Sequence, residues 1–180
     1  MAEMSKNKAV FLDRDGVIIE EDNFLIDFNK ARFIPRSIDA LGNIPKNYLK
    51  IIVSNQSGIA RGYFTQQQVE TLNANLLADL SGKNSPMDAI YYCPHGPDDN
   101  CDCRKPGSAL FERARQRFNL DFAQSWMIGD KSSDVEAGKN IGAKTILVLT
   151  GYAGKEPGAV DIQADFTAID LFEAVEIIKQ

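Results

Sequence analysis

An α/β fold, built on an open, doubly wound, mostly parallel sheet with helices on both faces, is predicted by two features of this chain. Short apolar runs alternate with longer amphipathic ones, and the breaks between them carry Gly, Asn, Asp or Pro. Polar clusters also follow directly on the C-terminal ends of several apolar runs, where an open parallel sheet gathers its binding loops. The apolar runs read as strands at 9–13, 49–54, 89–93, 126–130 and 144–149, with a weaker one near 165–167. Helices are predicted at 35–42, 65–80, 107–118, 133–141 and 168–178; in the last, Leu171, Phe172, Val175 and Ile178 share one face. A single domain over 8–180 is expected, after a flexible polar segment, 1–7. The sequence contains no internal repeat, low-complexity tract or interdomain linker.

Composition narrows the function classes. With 180 residues, 44% hydrophobic and 25% charged, the chain can bury its own core without staples and has the balance of a soluble globular protein. A formal net charge of −5 argues against sequence-independent nucleic-acid binding, which needs a basic face to release counterions. No apolar run approaches a membrane span, and the N-terminus does not resemble a signal peptide. A cytoplasmic monomer acting on a small molecule is the expectation.

All three cysteines and the only histidine fall in one stretch, Cys93-x-His95-x5-Cys101-x-Cys103. Four such donors close a tetrahedral zinc shell and leave no position for substrate, so a structural ion is expected in a loop at 93–103. The competing use, a disulfide, fits poorly: three cysteines cannot all pair within one chain, and Cys101 and Cys103 are too close for an unstrained bridge. Arg104 and Lys105 come next in the chain and would offset the negative charge of a three-thiolate shell. Two cations held beside a rigid loop point to a phosphate site.

Three further clusters sit at predicted strand ends. Asp13-Arg14-Asp15-Gly16 places two carboxylates two residues apart, able to divide nucleophilic and proton-transfer work, or simply to form an acidic turn. Ser54-Asn55-Gln56-Ser57-Gly58 offers a hydroxyl and turn amides to an anion, or is an ordinary polar loop. Gly129-Asp130-Lys131-Ser132-Ser133-Asp134 adds carboxylates suited to magnesium, with a helix N-cap as the alternative use of Asp130. Their joint occurrence, in chain order and each at its own strand end, favours one shared site.

In Asp13-x-Asp15-Gly16, Ser54-Asn55, Lys105 and Gly129-Asp130-x3-Asp134, the chain resembles the haloacid dehalogenase-like phosphohydrolases from about residue 10 to about 151. The resemblance implies a Rossmann-like sheet with Asp13 as phosphoryl-accepting nucleophile and Asp15 as acid and base. It also implies that Ser54 and Lys105 hold phosphoryl oxygens. Magnesium would be bound by the side chains of Asp13 and Asp130 and the backbone carbonyl of Asp15, with Asp134 orienting Lys105 or a metal-bound water. Within that superfamily, residues 54–62, 91–95 and 101–106 are similar to the heptose bisphosphate phosphatases, which have no large cap domain and carry a zinc-stapled loop. The short stretch between Val17 and Ile51 agrees with the missing cap. A sugar bisphosphate substrate is then implied. Arg14, Asn55, Gln56, Ser57, Arg104 and Lys131 would contact it, and Glu21, Asp22, Asn23 and Phe24 would line the entrance. The spacing of the zinc loop is also similar to that of histidinol-phosphate phosphatase domains, which sets a second candidate substrate. A receiver-like phospho-accepting switch is the non-enzymatic alternative.

Overall fold

The computed structural model describes residues 6–22 and 24–180. Six strands, β1 (Lys8–Leu12), β2 (Tyr48–Asn55), β3 (Ala89–Cys93), β4 (Trp126–Gly129), β5 (Lys144–Val148) and β6 (Phe166–Ala168), form one sheet in the order β3-β2-β1-β4-β5-β6. Every pairing is parallel. The chain starts at β1, steps outward to β2 and β3, then returns across the sheet to β4 on the other side of β1. That reversal makes the β1–β4 boundary the switch point, and a crevice opens there beyond the carboxyl ends.

Strand alternation builds the two core layers. Val10 and Leu12 of β1 face one layer with Ile52 and Ile128, whereas Ala9 and Phe11 face the other with Ile51, Val53 and Met127. The first layer is closed by α1 (Ser37–Asn43), α2 (Gln66–Gly82) and α5 (Leu171–Ile178). The second is closed by α3 (Ala109–Phe118) and α4 (Ser132–Asn140), with the Phe111 ring edge-on to Phe11 at 5.0 Å. Because both faces are covered, the central strands read as continuous apolar runs. Between β1 and β2 the described residues hold α1, a 3-10 turn, Phe28–Lys30, and isolated bridges from Ile19 to Asp15 and Phe33, so no large cap overlies the sheet.

Element boundaries differ from expectation where caps decide them. The helix predicted from 65 starts at Gln66, because Thr65 and Gln68 form a reciprocal capping box. The segment predicted as helix from 168 begins as sheet: Ala168 closes β6 opposite Val148, and α5 starts only after Asp170, whose carboxylate accepts from the Glu173 N–H. At the start of the chain, Asn7 is already tied down, since its N–H donates to the Asn119 carbonyl and its own carbonyl accepts from Asp121.

Candidate active site

The three polar clusters and the loop carrying Cys93, His95, Cys101 and Cys103 converge at the carboxyl end of the sheet. Asp13 follows β1 and its N–H donates to the Ile128 carbonyl of β4, so the switch point itself positions this carboxylate. Ser54 and Asn55 end β2, Asp130 follows β4, and Asp134 sits in the first turn of α4. Asp13, Ser54 and Asn55 line a cavity of about 470 Å³, with Asp130 and Asp134 fully buried.

Lys105 lies at its centre, 3% exposed. Its Nζ donates to the Val53 carbonyl at 2.7 Å and pairs with the carboxylates of Asp13, at 3.0 Å, and Asp134, at 2.7 Å. Burial opposes charge on Lys105, but Asp13 and Asp134 outweigh it and raise its pKa. Burial also opposes charge on Asp13, yet Lys105 and Lys131 hold its carboxyl below the ordinary value, as a carboxylate. Asp134 is raised, by burial first, with Lys105 opposing.

Asp130 is the odd member. Burial pushes it up to about 8 against the pull of Lys131, with the Asp13 and Asp134 charges adding to the rise. Its Oδ2 accepts from the Tyr152 N–H at 2.8 Å, but Oδ1 is buried without a hydrogen-bond partner. One oxygen from each of Asp13, Asp130 and Asp134 lies within 4.8 Å of the others. An orphaned carboxylate oxygen inside a cluster with surplus negative charge is a fit for a hard divalent cation. Glycines make the room: a Cβ on Gly16 would come within 2.4 Å of Asp130 Oδ2, and one on Gly151 within 2.2 Å.

Asp15 is held from two sides. The Arg14 guanidinium, 2% exposed, meets its carboxylate through Nε and Nη2, the closest approach being 2.9 Å, and Gln56 Nε2 donates to Asp15 Oδ2 at 3.1 Å. Gln56 Nε2 also donates to Ser54 Oγ at 2.8 Å. Lys131 stands at the cavity wall, with Nζ 3.1 Å from Glu21 and 3.7 Å from Asp13 Oδ2. Burial opposes its charge, but Asp13, Asp130, Asp134 and Glu21 raise its pKa. Glu21 in turn is raised, chiefly by burial.

The second cluster is built on β3. Cys93 ends that strand opposite Asn55 of β2, and its carbonyl accepts from the Gln56 N–H at 2.8 Å. The Sγ atoms of Cys93, Cys101 and Cys103 lie 3.0–3.6 Å apart, and His95 Nδ1 is 3.5 Å from Cys93 Sγ and 3.2 Å from Cys103 Sγ. A tetrahedral ion with bonds of about 2.0–2.3 Å needs donors roughly 3.3–3.8 Å apart, so the cluster is close to metal-binding geometry. Burial raises the Cys93 and Cys103 thiols, and a bound ion would reverse that by taking thiolates as ligands.

Two of the residues expected to contact substrate line the cavity but also have their polar groups engaged by the protein. Asn55 uses both ends of its amide on the backbone of Lys105, donating to its carbonyl at 3.1 Å and accepting from its N–H at 3.0 Å. Arg14 has all three nitrogens engaged by Asp15 and Asn73. Both therefore support other site groups. Asp22 is exposed and stands off the cavity wall, and Asn23 lies outside the described residues. Arg14, Glu21, Phe24, Asn55, Gln56, Ser57, Arg104 and Lys131 all line the cavity, and the Phe24 ring is edge-on to Tyr63 at 4.7 Å. Arg104 meets only the His95 carbonyl, at 3.3 Å, and no acidic partner among the described residues. Sequence reasoning missed the loop after β5, from which Tyr152, Glu156, Gly158 and Val160 reach the cavity. Its signal was present in Gly151, Gly154 and Gly158, glycines following a strand end like those of the other motifs.

Sheet order and site together define a class, the haloacid dehalogenase-like hydrolases. The HAD-hydrolase-like family model matches residues 102–174. D-glycero-beta-D-manno-heptose-1,7-bisphosphate 7-phosphatase from Haemophilus influenzae is 38% identical over 97% of this chain and 100% of its own length. The protein of that name from Escherichia coli K12 is 40% identical over 79% of this chain and 80% of its own. The crystal structure of D,D-heptose 1,7-bisphosphate phosphatase from B. bronchiseptica, complexed with magnesium and phosphate, has a TM-score of 0.86 at 29% identity, covering 96% of this chain and 98% of that one. The chain belongs to the family of these heptose bisphosphate phosphatases, which are phosphoric monoester hydrolases.

Displacing the Asp130 carboxylate should disable the site without unfolding the sheet. Gly151→Ala is expected to lower the rate of phosphate release by about 10- to 100-fold, the usual effect where the support of a carboxylate that could hold a metal is disturbed. Gly142→Ala, also at positive φ but with open space around its Cβ, should keep the wild-type rate and lose only stability. Equal rates for the two variants would contradict the packing role of Gly151.

Proposed function

We propose that this protein is a magnesium-dependent phosphatase that removes the C7 phosphate of D-glycero-D-manno-heptose 1,7-bisphosphate through an aspartyl-phosphate on Asp13. The observation that carries the reading is the gathering of Asp13, Asp15, Ser54 and Lys105 around one cavity floor, above the partnerless Oδ1 of Asp130. Asp13 is held ionised by two lysines and attacks phosphorus, forming a bond from its carboxylate oxygen as the bond from phosphorus to the C7 oxygen breaks. Asp15 gives its proton to that leaving oxygen. It then takes a proton from the water that attacks the acyl phosphate, releasing inorganic phosphate and restoring Asp13. Ser54 Oγ and Lys105 Nζ hold the transferring phosphoryl oxygens, with Asp134 and Asn55 fixing Lys105.

The side chains of Asp13 and Asp130 and the backbone carbonyl of Asp15 would hold magnesium, which when bound offsets charge on the phosphoryl oxygens. Cys93, His95, Cys101 and Cys103 would hold a structural zinc that orders the segment leading into Arg104 and Lys105. A bisphosphate suits the cations around the cavity, because Arg61 and Arg104 both line it and neither has an acidic partner among the described residues. Arg104 and Lys131, with Glu21, Phe24, Gln56 and Ser57, would contact the sugar and its second phosphate. Arg14 acts indirectly, through Asp15. The whole of 8–180 works as one catalytic domain, a cytoplasmic monomer in a compartment that keeps the zinc thiols reduced. Among the described residues no helix is long and apolar enough to cross a membrane. The names of the relatives favour neither histidinol phosphate nor a receiver-like switch.

Steady-state kinetics on both anomers of heptose 1,7-bisphosphate and on histidinol phosphate test the substrate. The expected kcat/KM for the preferred heptose anomer exceeds that for histidinol phosphate by at least about 100-fold, the discrimination a desolvated polar site supplies. Comparable values would overturn the assignment. Cys103→Ser should lower bound zinc, measured by elemental analysis, and reduce activity through a disordered Lys105. Full activity in a zinc-free variant would remove the loop's proposed role.

A further inference from the structure

Asn73 is a polar residue on a face of α2 otherwise made of Val69, Leu72, Leu76 and Leu80, and it is only 4% exposed. A buried amide is costly unless it is hydrogen-bonded. Its Oδ1 accepts from Arg14 Nη1 at 2.9 Å. The opposite edge of the same guanidinium, Nε and Nη2, meets both oxygens of Asp15. Because the guanidinium is rigid and planar, anchoring Nη1 on one side sets the plane that the other side offers to the carboxylate. Gln56 cannot do this alone, since its single bond to Oδ2 leaves the carboxylate free to rotate about that contact.

We propose that Asn73 is a positioning residue for proton transfer, fixing through Arg14 the orientation of the Asp15 carboxyl toward the leaving oxygen. The inference rests on the reading of Asp15 as the acid. In the first step the Asp15 O–H bond breaks as the O–H bond of the departing alcohol forms, and the Arg14 donors stabilise the carboxylate that remains. Without Asn73, Nη1 loses its partner in a buried place and the guanidinium turns to find another, taking Asp15 with it. A misplacement of about 1 Å is enough to lower a rate roughly 100-fold.

The test separates proton donation from everything else by comparing two leaving groups. Heptose 1,7-bisphosphate expels an alkoxide that needs a proton, whereas p-nitrophenyl phosphate expels a phenolate that does not. The parameter kcat/KM reports the step that expels them. For Asn73→Leu, kcat/KM should fall by about 10- to 100-fold on the bisphosphate and by no more than about threefold on the aryl ester. Asn73→Ser, too short to reach Nη1, should behave alike and decides the matter if the leucine variant is insoluble. Equal losses on both substrates, or no loss on either, would overturn the proposal. Asp15→Asn, measured in parallel, tests the reading beneath it. A selective loss there with non-selective Asn73 variants overturns the role of Asn73 alone, and an equal loss there overturns the acid itself and the proposal with it.

Discussion

One buried ammonium holds the site together. Lys105 Nζ binds the end of β2 through the Val53 carbonyl, the segment after β1 through Asp13, and the first turn of α4 through Asp134. Lys105, Asp13 and Asp134 are all within a few per cent of complete burial. Breaking such an arrangement by removing one member leaves uncompensated charge in a low-dielectric interior, at a cost of about 3–5 kcal/mol. The same contacts tune the chemistry, because the lysine that orders the strand ends also keeps Asp13 ionised.

Lys105 owes its position to two supports that meet at β3. Asn55 clamps its backbone from β2, and Asn55 is the ladder partner of Cys93, the first donor of the four-residue N/S cluster. Cys103, the last donor, lies two residues before Lys105. An ion in that cluster would therefore stiffen both approaches to the lysine. The loop after β5 is laced to the loops after β1 and β4, with Thr150 Oγ1 donating to the Gly16 carbonyl at 2.6 Å and the Tyr152 N–H donating to Asp130. Short loops thus enclose the cavity in a chain that has no large cap.

Much of this was legible from residue pattern. Central strands covered on both faces leave an unbroken apolar signature, and motifs at strand ends follow from topology, so the fold class and the meeting of Asp13, Ser54, Lys105 and Asp130 could be anticipated. Orientation could not. Asn55 and Arg14 sit in the right motifs, yet their side chains bind Lys105 and Asp15, and a one-dimensional pattern does not distinguish an amide that bonds backbone from one that faces a ligand. Asn73 carried a visible anomaly, a polar residue in an apolar helix stripe, but its partner lies on another element and emerges only in three dimensions. The helical periodicity of Leu171, Phe172, Val175 and Ile178 does not fix where that helix begins, and Ala168 instead pairs with Val148 in the sheet. The loop after β5 lacked an acidic or hydroxylic motif, and its glycines alone did not mark it as part of the site.

The proposed reaction depends on Asp13 as the phosphoryl acceptor, beside Lys105 and a cation that Asp130 would hold. A crystal structure of the protein grown with magnesium and beryllofluoride, a stable mimic of an acyl phosphate, tests this most directly. The predicted result is beryllium bonded to an Asp13 carboxylate oxygen, with fluorine atoms in contact with Ser54 Oγ and Lys105 Nζ and magnesium against Asp130. An adduct on Asp15, or a fluoride complex bound away from Asp13, would contradict it.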